Sequence, residues 1–351
     1  MALNLGKIFI LVAFWATGIL SAGSFEIQHL ATTANPCNKY SLVNSVDFHP
    51  SEAKFCATYT QGNRVVIYEK TNLGKIKTVQ TLANPQALLS QPQHAVFSPN
   101  GKWIAVANWT NQTFTFYSLE NDNSFSQSPA AVFEAEEKLV TYKPHGIAFS
   151  PNGQFLAIAY GAGSQYDRAL AIFRFDPKTL ELVLCSCLSG KNELKGVPKG
   201  ITFTPDGKAL LVTFSDRNSF VVFDVNAQTG KIAAVPRQSI HGFCTNITRP
   251  EDIKISPDGK ICVVTNSEAH TLTFYPFDSH NNRVLDSKPV YTMAKKFHLV
   301  FPHGVAFSAD GTLLAVTQFG PIFTYPKGDI GWDQDMDPHE AKVSLFKIDN
   351  K

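Results

Sequence analysis

Apolar and polar positions alternate in short runs along most of the chain. From Gly146 to Phe149 the period is two: Ile147 and Phe149 share one face, and Gly146 and Ala148 the other. A turn follows at Pro151-Asn152-Gly153, then a second apolar run, FLAIAY (155–160). After a variable loop comes a third run, ALAIFRF (169–175), and a weaker fourth, LVLCSCL (182–188). Nothing along the chain has the 3.6-residue period of an amphipathic helix of any length.

This unit recurs. An aromatic residue or Ile followed by a turn appears at Phe48, Phe97, Phe149, Phe203, Ile255 and Phe307. The third residues of these phrases stand at 50, 99, 151, 205, 257 and 309, in steps of 49, 52, 54, 52 and 52. Six copies of about 52 residues with four strands each predict six propeller blades. The last copy stops after its third strand, at Ile348, while SFEIQHLAT (24–32) precedes the first landmark. A strand there would complete the sixth blade and remove the open sheet edge. The expected fold is therefore all-β, a six-bladed β-propeller of four-stranded blades closed by the N-terminal strand, with residues 24–351 as one domain.

Two stretches, FSPNGKWIAVANW (97–109) and ISPDGKICVVTN (255–266), resemble the blade phrase of the propeller superfamily of YVTN repeats and lactonase-like proteins. The resemblance covers the chain from about residue 45 onward. It implies a propeller, usually of seven blades in the lactonase relatives, and as one functional outcome hydrolysis of a sugar lactone or similar ring ester. Fold alone does not assign the function.

Composition narrows this little. The chain of 351 residues has 44% apolar and 17% charged residues, enough for a core, and 27 Phe suit strands. A net charge of +2 argues against a nucleic-acid partner. Residues 1–23 read as a secretory leader: one Lys, an apolar run from Ile8 to Leu20, then Ser21, Ala22 and Gly23. The run is short for a membrane span, so a secreted or periplasmic monomer without stable membrane insertion is expected. The six Cys are irregularly spaced and expected mostly as buried thiols.

Candidate chemistry follows from register. The residue four before each landmark gives a ring of Asn44, Gln93, His145, Lys199, Glu251 and His303. The residue nine after each third position gives a second ring: Tyr59, Asn108, Tyr160, Phe214, Asn266 and Gln318. Polar groups beside aromatics at a channel mouth suit a small ligand. His145, Gln93, Asn108, Tyr160, Asn266 and Gln318 are the expected ligand contacts. Trp332 joins them from a long insertion after Gln318, which is expected to cap the same face.

Lys199, Glu251 and His303 are the catalytic candidates if the protein is an enzyme, with Glu251 or His303 as base and Lys199 steadying an anion. Sheets packed about 10 Å apart would put His145 and His303, three blades apart, about 20 Å from each other, too far to share a metal. Asp333, Asp335 and Asp337 alternate like a calcium loop, but Pro338 stands where Gly is needed. No metal and no cofactor are expected. No catalytic motif is visible, so the leading expectation is a binding or scaffold module for a protein or small ligand at the channel face. A lactonase-type hydrolase is the alternative.

Overall fold

The computed structural model describes residues 25–37, 41–72, 74–134, 143–161, 169–194, 196–294, 297–320 and 341–350. The expected leader, the insertion with Trp332 and its three aspartates lie outside them. Among the described residues the strands form six antiparallel sheets arranged as propeller blades. Blade three shows the pattern: Pro144–Phe149, Phe155–Tyr160, Leu170–Asp176 and Glu181–Leu188 pair in sequence order. The sixth blade closes as expected. Its strands are Pro302–Phe307, Leu313–Gln318 and Lys342–Asn350, and Phe25–Thr32 pairs antiparallel with the last.

The landmark phrase is a turn that satisfies its own polar groups. In blade three the Ser150 hydroxyl donates to Asn152 Oδ1 at 2.6 Å and accepts from the Phe155 N–H at 3.0 Å. Gly153 takes φ +70°, where a side chain would be strained. Ser98, Thr204, Ser256 and Ser308 repeat the first bond with Asn100, Asp206, Asp258 and Asp310. Blade one lacks the Gly, and the His49 ring nitrogen accepts the N–H groups of Ser51 and Glu52 instead.

The core is divided among the blade interfaces, one apolar cluster to each. Alternation decides which cluster a residue joins: Ile147 packs with Val96 and Phe116 of blade two, and Ala148 with Ile201 and Phe203 of blade four. The inner strands form a closed circle in which each touches both neighbours. They approach more closely than sheets separated by two layers of side chains, because glycines sit where they meet. A Cβ on Gly146 would press into the Lys199 carbonyl oxygen, and one on Gly304 would lie 2.7 Å from that of Asn44.

Each inner strand has an irregularity at the same place. Pairing with the second strand slips between Val43 and Val46, Pro92 and His94, Pro144 and Gly146, Pro198 and Ile201, Pro250 and Ile253, and Pro302 and Val305. A bulge bends its strand and re-aims the extra side chain. The residues in these six bulges include the whole first ring.

Candidate functional site

All six residues of the first ring line one pocket of about 340 Å³ at the mouth of the channel. Its wall also includes Arg249, Trp109, Phe301 and Phe319. The rings of His145 and His303 lie 5.5 Å apart between centroids, tilted by 38°. The expectation of about 20 Å is therefore wrong, and with it the conclusion that the two cannot act on one ion. Sheet spacing in a sandwich does not apply where Gly146, Gly200 and Gly304 let inner strands meet backbone to backbone.

Glu251 is the electrostatic centre. Its side chain is buried, with Lys199 Nζ 3.9 Å and His303 Nε2 3.4 Å from Oε2 and Arg249 Nε 3.5 Å from Oε1. Burial pushes the carboxyl up, but Lys199, His303 and Arg249 together outweigh it and bring it down to about 2. Glu251 is thus ionised and a poor proton acceptor, which speaks against the role of base. His303 is held from both sides: Nδ1 lies 2.9 Å from the Asn44 carbonyl oxygen, and its ring stacks on Phe319 at 4.5 Å. A carbonyl can only accept, so Nδ1 carries the proton in that bond. His145 meets Trp109 edge to face at 6.1 Å. Burial lowers its pKa well below 6.5, helped by Lys199, His303 and His94, so its imidazole is neutral at pH 7.

The pocket rim is cationic. Lys143 and Lys199 place ammonium groups 5.1 and 5.8 Å from the centre of the Trp109 ring, within cation–π range. Asn44 donates its amide N–H to Gln93 Oε1.

A second polar layer lies deeper, built from Asp47, His94, Asp252 and Lys254. Asp47 accepts the Phe97 N–H of blade two at 2.8 Å, and Asp252 the Val305 N–H of blade six at 3.1 Å, so each carboxylate ties adjacent blades together. Lys254 Nζ is 3.4 Å from Asp252. Burial pushes Asp47 up to about 7 against the pull of Lys254 and the Phe97 bond, with Asp252 adding to the rise. Asp47 stays partly open to the channel, which tempers that shift. The folded chain therefore holds a proton that the unfolded chain releases near pH 4, and stability falls as pH rises from about 4 to about 7. Asp47→Asn removes this slope while leaving an oxygen for Phe97. The variant is expected to unfold in urea about 1–2 kcal/mol later than wild type at pH 8 and no later at pH 4. An equal difference at both pH values would refute this.

The second ring is displaced by one residue from where the sequence put it. Asn108, Tyr160, Asn266 and Gln318 are fully or almost fully buried and do not line the pocket. Asn108 Nδ2 donates to Thr113 and Thr115, and Asn266 Nδ2 to Thr273. Gln318 Nε2 donates to Ser344, and all three amide oxygens accept a backbone N–H. The residues that face the pocket are the next ones along, Thr60, Trp109, Ser267 and Phe319. Arg249 also lines the pocket without having been expected there: it sits just before the strand Pro250–Ile255, at φ +47°, where the period-two rule of an extended strand does not apply.

Comparisons with known proteins bear on the chemistry. The profile of the family described as "Lactonase, 7-bladed beta-propeller" matches residues 55–318. A 6-phosphogluconolactonase of Formosa agariphila is 27% identical over 153 residues, 43% of this chain and 41% of that protein. The chain thus aligns with less than half the length of this curated relative. Among solved structures, the periplasmic gluconolactonase PpgL of Pseudomonas aeruginosa superposes with a TM-score of 0.56 at 17% identity, over 82% of this chain and 83% of that one. A luciferin-regenerating enzyme reaches 0.62 at 11% identity over 93% and 95%. At these identities the two structures bear on the fold alone. The leading expectation of a non-catalytic scaffold is corrected by the family match and the lactonase relative, which favour the hydrolase alternative. With six blades among its described residues where the family's description has seven, this chain belongs to the lactonase β-propeller family.

Proposed function

We propose that the protein hydrolyses a lactone of a sugar acid in the pocket at the channel mouth. The observation that carries this is the convergence of His145, Lys199, Arg249, Glu251 and His303 on one pocket from four successive blades. Opening a lactone needs water to add to the ring carbonyl and the ring oxygen to leave with a proton, giving a hydroxy acid. Negative charge builds on the carbonyl oxygen meanwhile, and preorganised cations lower that barrier most. Lys199 and Arg249 are such groups, and Glu251 holds both in place. His145 and His303 are the groups at which the water is activated, with Glu251 as the fixed counter-charge beside His303. Trp109 gives the sugar ring an apolar wall.

The three cations around Trp109 and Glu251 favour a lactone that itself carries negative charge, such as a phosphate. The relative from Formosa agariphila is named for a substrate of that kind. A panel of phosphorylated and plain sugar lactones, corrected for spontaneous hydrolysis, tests the proposal. We expect kcat/KM for the 6-phosphorylated gluconolactone to exceed that for the plain one by about 10-fold or more, since a charge-assisted bond contributes about 1.5–3 kcal/mol. Lys199→Met should remove most of the preference. No lactone opening above the spontaneous rate would overturn the function, and an unchanged preference in Lys199→Met would overturn the substrate class.

A further inference from the structure

We infer that His145, Glu251 and His303 form a binding site for one divalent transition-metal ion of the zinc class. One ligand atom from each lies within 4.8 Å of the other two, and all three residues are buried. Two imidazoles and a carboxylate are a donor set that zinc takes at catalytic sites, with a fourth position open. Here the open position faces the pocket that Asn44, Gln93 and Trp109 help line.

Three further observations point to a cation. First, His145 Nδ1 is buried with no hydrogen-bond partner, and buried Glu251 Oε2 has only the ion contacts with His303 and Lys199 and no well-formed hydrogen bond. Buried polar atoms are nearly always satisfied, and an ion or water is the usual explanation of an exception. Second, His303 gives its Nδ1 proton to the Asn44 carbonyl, so in the neutral ring the Nε2 lone pair faces Glu251 Oε2. Two acceptors facing each other repel unless a proton or a cation lies between them. An N–H bond from the far nitrogen to a backbone carbonyl is also the outer-sphere contact that orients metal-bound histidines. Third, the 3.4 Å between Nε2 and Oε2 is close to the separation of two donors around a tetrahedral ion with bonds of about 2.0–2.1 Å. His145 must swing inward to complete the set.

Lys199 works against the ion, because its ammonium shares the same carboxylate oxygen at 3.9 Å. Arg249 is on the other oxygen and need not move. Lys199 is partly exposed and can withdraw toward Trp109. The site should therefore bind more weakly than one without that charge, and removing the charge should tighten it. Such an ion would supply Lewis acidity toward the carbonyl and toward water. The inference rests on the lactonase reading only for this use, and binding decides it independently.

The test is titration of metal-free full-length protein with Zn²⁺ by calorimetry and with Co²⁺ by its visible tetrahedral absorption. We expect one equivalent to bind, at least about 10-fold more weakly in His145→Gln and Glu251→Gln, and about 10-fold more tightly in Lys199→Met. Circular dichroism melts show which variants are folded, and Lys199→Met keeps every proposed ligand. Failure of wild type to bind one equivalent overturns the inference, as do binding unchanged in both folded ligand variants and weaker binding in Lys199→Met. Lactone hydrolysis by protein that binds no metal would overturn this site and leave the function standing. Metal binding without hydrolysis would do the reverse.

Discussion

Glu251→Gln is expected to lower lactone kcat/KM by about 100-fold or more while leaving the fold intact. The substitution keeps the size of the side chain and removes a charge that three groups address. Lys199, His303 and Arg249 all lie within 4 Å of the carboxylate. Without it the cations repel one another and lose their fixed positions. Loss of a preorganised charge partner in a desolvated site commonly costs about 10²–10³ in rate. A neutral side chain at a buried position needs no counter-ion, so the melting temperature should move little. Stopped assays on the phosphorylated lactone, beside a thermal melt, check both halves. A folded Glu251→Gln protein with more than a tenth of wild-type activity would remove Glu251 from the machinery.

Gly146→Ala should do the opposite, harming the fold as much as the activity. A methyl group there meets the Lys199 carbonyl oxygen and crowds Ile201 Cγ2 at 3.2 Å. The first obstacle is backbone in the inner strand of blade four, which cannot rotate away. Overpacking of this kind costs about 1–3 kcal/mol and occasionally more. Pushing the two inner strands apart also separates His145 from Lys199. Gly153→Ala is the control, since its Cβ comes no closer than 3.7 Å to Pro99 and only its φ of +70° is unfavourable. The expected order in urea denaturation is wild type, then Gly153→Ala, then Gly146→Ala, with hydrolysis impaired only in the last. If Gly146→Ala matches the control, the close approach of the strands does not govern the pocket.

Most of the fold was legible because a blade is a local object. The Ser-Pro-Asn-Gly turn, the alternation in GIAF and the spacing of the landmarks each lie within a few residues, and six copies repeat the message. The first ring was legible for the same reason, since counting back four residues from Phe149 or Phe307 lands in the bulge. What failed was anything that depended on contact across the axis. Nothing in Gly146, Gly200 or Gly304 taken singly says that a backbone carbonyl will rest against it, so His145 and His303 were placed too far apart. The second ring failed by one residue: Asn108 and Gln318 end their strands with side chains turned into their own blades. Trp109 and Phe319, one position on, turn to the pocket. Arg249 stands at a left-handed bend just outside its strand, so no alternation rule places it.

The closure of the ring has a consequence in time. Phe25–Thr32 leaves the ribosome long before its partner Lys342–Asn350. Thr33 and Val343, which share two hydrogen bonds at the end of this seam, are 310 residues apart. At roughly 5–20 residues per second the early strand waits about 15–60 s for its place. Throughout that interval five blades can assemble while the sixth lacks its outer edge. On a crowded polysome the waiting strand of one nascent chain can be taken by the unfinished blade of another. The seam that makes the finished ring edgeless is thus the place where its synthesis is most exposed to exchange between chains.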